Sequence, residues 1–164
     1  MVMRMRVLVL VAAVQAAGPH DELFGQTATQ VVRFQVNAIN QIGVTGNPAP
    51  MVINTATAGS APMSVVASGT SYAITTNETN KKITASLNQS LPAGIVLQVL
   101  LAAPTGAASL GEVSLTTSGT DVVTGISTTS ASSLAITYRL SAVATVQMAA
   151  PSVRTVTFTI VSGT

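Results

Sequence analysis

From residue 26 onward the chain alternates apolar and polar side chains almost without interruption, and a two-residue period confines it to β-structure. In a strand, successive side chains point to opposite faces. The run Val156-Thr157-Phe158-Thr159-Ile160 therefore turns three apolar groups one way and two threonines the other. Ile83, Ala85 and Leu87 share a face in the same manner, as do Leu134, Ile136, Tyr138, Leu140 and Ala142. Helical spacing is absent from this part of the chain. The Ala-rich residues 142–150 invite a helix, but Val143, Thr145 and Val146 are β-branched and Pro151 ends the run.

Breakers divide the pattern into strands. Apolar alternation begins with Val32, Phe34, Val36 and Ala38, continues through Ile39, Ile42 and Val44, and stops at Gly46-Asn47-Pro48. Met51-Val52-Ile53 reads as a short strand, and residues 71–76 resume extended structure around Tyr72 and Ile74. A polar turn at residues 77–80 precedes the strand carrying Ile83. Leu91-Pro92-Ala93-Gly94 turns the chain into its most apolar strand, residues 95–103. Short strands around Val113 and Val122, and two long ones at residues 134–146 and 153–161, complete the set. The expectation is an all-β fold: an immunoglobulin-like sandwich of about eight or nine strands, with a closed barrel as the alternative.

Charged residues make up 7% of the chain, against about 25% in an ordinary soluble domain. The surface must then be built from Thr, Ser, Asn and Gln, which offers little repulsion between copies. Residues 1–16 read as a secretory signal: Arg4 and Arg6 precede an apolar stretch at residues 7–14, and Val14-Gln15-Ala16 supplies small residues for cleavage. That stretch is far short of the roughly 20 residues of a membrane helix, so no span is expected once the signal is removed. Beyond residue 16 the bases Arg33, Lys81, Lys82, Arg139 and Arg154 balance the acids Asp21, Glu22, Glu78, Glu112 and Asp121. The net charge of +2 thus belongs to the signal and points to no nucleic-acid partner. The organisation expected is a signal (1–16), a leader (17–28) and a single sandwich domain (29–164), exported and without disulfides, since cysteine is absent.

Chemistry has few footholds. The single His lies in the leader, so no Ser has a nearby imidazole base, and no Gly-x-Ser-x-Gly elbow occurs. Glu78, Glu112 and Asp121 each fall in or beside a turn and read as solvated groups rather than a catalytic carboxylate pair. His20-Asp21-Glu22 resembles a metal cluster in composition alone, because the body of the chain contributes no second His or Cys. Neither a metal, a cofactor nor an enzymatic activity is expected. With no Trp, sugar stacking loses its usual platform, and Tyr72 and Tyr138 read as core or interface residues. Asn77-Glu78-Thr79 and Asn88-Gln89-Ser90 match the N-glycosylation acceptor pattern.

Across residues 26–164 the layout of short alternating strands with a neutral Thr/Ser surface resembles pilin-like and biofilm-filament subunits. It carries neither the cysteine pair of many chaperone-usher pilins nor their C-terminal motif ending in a penultimate Tyr. The resemblance implies a secreted structural protein whose sandwich is completed by a strand from a neighbouring copy, with copies of itself as partners. The expected interface strand is Val32, Phe34, Val36 and Ala38, following the leader. The same residues equally suit the first strand of the chain's own sandwich. The rival function is a secreted adhesin or carbohydrate-binding sandwich that meets a cell-surface ligand through loops near Asn47-Pro48, residues 77–80 and residues 116–121.

Overall fold

The structure is a computed structural model that describes residues 26–147 and 151–163. The expected signal peptide, and the His20-Asp21-Glu22 cluster of the leader, lie outside the described residues. By its contacts the chain divides into one unit ending at Gln35 and a second, Val36–Thr164, which holds every strand described here.

Nine strands form among the described residues: β1 (Asn40–Thr45), β2 (Val65–Thr76), β3 (Lys81–Leu87), β4 (Ile95–Leu101), β5 (Ala108–Ser109), β6 (Val113–Ser114), β7 (Thr120–Ile126), β8 (Thr129–Ala142) and β9 (Val156–Ser162). They make two antiparallel sheets, one in the order β1-β2-β8-β4-β6 and one in the order β5-β7-β3-β9. Both sheets have open ends, so the molecule is a β-sandwich and not a closed barrel. After the β1–β2 hairpin each strand lies in the sheet opposite its predecessor, and the connections shuttle between the two layers as far as β9.

The two-residue period sets the core. In β3 the inward positions Ile83, Ala85 and Leu87 are buried, and in β4 Leu97, Val99 and Leu101 are. To the same core β2 contributes Tyr72 and Ile74, β7 contributes Val122 and Val123, and β8 contributes Ile136 and Tyr138. Both tyrosines therefore sit in the core, as the sequence indicates. The Tyr72 hydroxyl donates to Ala102 O at 2.6 Å, satisfying the polar end of a side chain that is 1% exposed.

Several strand limits differ from the sequence reading. The alternating residues 30–38 are not a strand of this sandwich: residues 26–39 carry no regular secondary structure, and pairing begins at Asn40. Met51-Val52-Ile53 is irregular too, although Met51 still packs against the core. The strand expected at residues 134–146 starts earlier, at Thr129, and ends at Ala142. Its early start passes through Ser133, which adopts a left-handed φ of 57° where the β2–β8 register shifts. A propensity pattern shows the extended residues but not the bulge that lets a longer pairing continue.

Candidate functional site

The residues expected to form an assembly strand lie on the segment that precedes β1. Their side chains are not in the core: Val32 is 72% exposed, Phe34 91% and Val36 77%, and Ala38 is exposed as well. Val31 is 85% exposed beside them. An apolar run of this length left to water is costly, at about 1.5–3 kcal/mol for each large side chain that burial would recover. Isolated exposed valines need no explanation, but a consecutive row does.

Where this segment meets β1, side chains hold the backbone. Asn77, in the turn between β2 and β3, accepts from Ile39 N through Oδ1 and donates from Nδ2 to Asn37 O, both at 2.8 Å. Its own N–H donates to Ile39 O at 3.2 Å. Thr76 Oγ1 donates to Asn40 Oδ1 at 2.8 Å, and Asn40 Nδ2 donates to the Glu78 carboxylate. Glu78 also pairs with Lys81 Nζ at 2.9 Å. The Asn40 hydrogen bond, followed by that of Lys81, holds the Glu78 carboxyl below its ordinary range. This network fixes where β1 begins. A glycan on Asn77 Nδ2 would displace its bond to Asn37 O, whereas Asn88 uses its Oδ1 to accept from Thr155 N at 2.8 Å.

The remaining acids are paired at the surface. Lys82 Nζ meets Asp121 Oδ2 at 3.0 Å, and Arg139 Nε donates to both carboxylate oxygens of Glu112 at 2.8 and 2.9 Å. Asp121 stands within β7 rather than in a turn. Among the described residues each acid thus has its own base. Among the described residues no group of three or more His, Cys, Asp or Glu is placed to hold a metal ion, and no helix is long and apolar enough to cross a membrane.

Shallow hollows among the described residues include two formed beside strands. One, of about 280 Å³, lies over β1 and β2 between Gln41 and Thr75, and the other, of about 320 Å³, lies beside β4 and β6 among Leu91, Val96, Leu115 and Thr116. Neither is lined by a titratable side chain. In the loop after β6 the polar groups serve the backbone locally: Thr116 Oγ1 accepts from Ser118 N at 3.2 Å and donates to Ser118 O at 3.1 Å. Comparison with protein-family models, curated proteins and solved structures finds no match to the chain.

Proposed function

We propose that the chain is a non-enzymatic structural protein, exported through residues 1–16, that builds an extracellular filament, pilus or matrix by β-strand addition between copies. One observation carries this reading: Val32, Phe34 and Val36 alternate on an extended-type sequence, stand outside every strand, and are 72%, 91% and 77% exposed. Laid along a sheet edge, such a segment gains main-chain hydrogen bonds and hides three apolar side chains together. Full burial of the three is worth roughly 5–9 kcal/mol before ordering costs. A head-to-tail contact of this kind need not close on itself, and one that does not close propagates as a filament. The neutral surface, with 7% charged residues, leaves copies free to approach.

The test is a double substitution, Val32→Asp with Phe34→Asp, judged by negative-stain electron microscopy and size-exclusion chromatography. Unsubstituted protein is expected to form regular fibres. The variant is expected to remain a β-rich monomer, because both side chains are already exposed, and to bind a synthetic peptide of residues 29–38. A variant that unfolds and that no peptide rescues would assign the segment to its own core and overturn the reading.

A further inference from the structure

Among the described residues the second sheet ends on β9, and no strand is hydrogen-bonded to the side of β9 away from β3, although β1 of the other sheet approaches it. Its backbone phase follows from the two bonds that flank its pairing with β3. Gly163 N donates to Asn80 O at 2.6 Å, and Asn88 N donates to Thr155 O at 3.0 Å. In an antiparallel pair the bonded positions alternate, so Thr157, Thr159 and Val161 turn their backbone groups toward β3. The N–H and C=O groups of Val156, Phe158, Ile160 and Ser162 consequently point to the open side. The side chains of Val156, Phe158 and Ile160 are half-buried at the rim of the core.

Edges are ordinarily blunted by shortness, charge, proline or a bulge. Of the other three edge strands, β5 and β6 are two residues each, and β1 runs straight into the exposed segment. Ile42 is the lone half-buried side chain on β1. The seven residues of β9 include no charge and no proline, and they pair with β3 in unbroken register.

We infer that β9 is the acceptor edge for residues 30–36 of a second copy, an assignment that rests on the strand-addition reading above. Seven residues of the segment are enough to span the seven of β9, and the two alternate in the same phase. With Phe34 opposite Phe158, Val32 and Val36 fall beside Val156 and Ile160 whichever way the added strand runs. Arg33 and Gln35 then lie on the outer face beside Thr157 and Thr159, where β9 presents no like charge. An extended chain exposes about 1.45 Å² per dalton, or roughly 1,200 Å² for seven such residues. Burying half of it against an equal area of acceptor removes roughly 1,200 Å² in total, the lower bound of a stable specific interface.

Because the chain contains no cysteine, introduced thiols report pairing directly. Full-length Arg33→Cys protein is mixed under oxidising conditions with full-length Thr157→Cys, Thr159→Cys or Gln41→Cys protein, all four sites being exposed. Disulfide-linked dimers are expected with position 159 for an antiparallel addition or position 157 for a parallel one. Either should exceed the β1 control at position 41 by about tenfold, since thiols on Cα atoms more than 7 Å apart do not bridge. Fibres whose thiols link to position 41, or to neither strand, overturn the β9 assignment and leave strand addition standing. Chains carrying both Arg33→Cys and Thr159→Cys that close within themselves at low concentration make the segment its own chain's strand, and overturn both. Absence of any oligomer in unsubstituted protein overturns the strand-addition reading itself.

Discussion

Tyr72 shows how one side chain ties β2 to the residue that follows β4. It is 1% exposed, its hydroxyl bonds Ala102 O, and burial pushes its pKa up to about 12. Burial also raises Tyr138. In the unfolded chain a tyrosine ionises near 10. The folded state therefore holds its full advantage below about pH 10 and loses it as pH rises toward about 12. Tyr72→Phe removes the titrating group and also leaves Ala102 O without that donor. Urea denaturation at pH 7 should find the variant about 1 kcal/mol less stable. A second series at pH 11 should show a smaller loss on raising the pH than the unsubstituted protein suffers. The sequence indicated that this tyrosine was a core or interface residue. Its carbonyl partner, 30 positions away, came only with the fold.

At the scale of elements, the turn between β3 and β4 depends on a glycine for two separate reasons. Gly94 has φ +82°, in the left-handed region where a Cβ is strained. A Cβ there would also lie 2.7 Å from Val146 Cγ2 and 2.8 Å from Val143 Cγ2, in the segment after β8. Gly94→Ala should thus destabilise by about 2–3 kcal/mol, combining backbone strain with overpacking. Gly59→Ala meets nothing within 4 Å and carries the backbone cost alone, so it should lose about 1 kcal/mol. Thermal melts of the two variants separate these contributions. The turn itself was legible as Leu91-Pro92-Ala93-Gly94. The valines facing Gly94 were not, because a contact spanning some fifty residues leaves no mark on local pattern.

At the scale of the whole molecule, the proposed assembly has little electrostatic attraction to draw on. The acids of the described residues, Glu78, Glu112 and Asp121, are each paired with a base, and the rest of the surface is largely hydroxyl and amide. Assembly that runs on backbone pairing and apolar burial should respond weakly to screening. Raising sodium chloride from about 50 to about 500 mM should change the critical concentration for fibre formation by less than about twofold. Ammonium sulfate, which favours burial, should lower it. Sedimentation of the polymer across both salt series checks this. A steep sodium chloride dependence would mean that charged contacts hold the copies together.

The two-residue period by itself determined that the chain is all-β and which face of β3, β8 and β9 turns inward, because side-chain direction in a strand is a local property. It also marked Val32, Phe34 and Val36 as a strand-like face. It did not decide whose strand that face is. The pattern of an internal strand and of one offered to a neighbour is the same, since both need alternate apolar groups and free backbone. Only the tertiary structure started pairing at Asn40, where Asn77 and Thr76 engage the backbone and side chain of residues 37–40. The strand order likewise left β9 as an unprotected edge. Which strand lies at the margin of a sheet is set by pairings between residues far apart in sequence, and no local period records them.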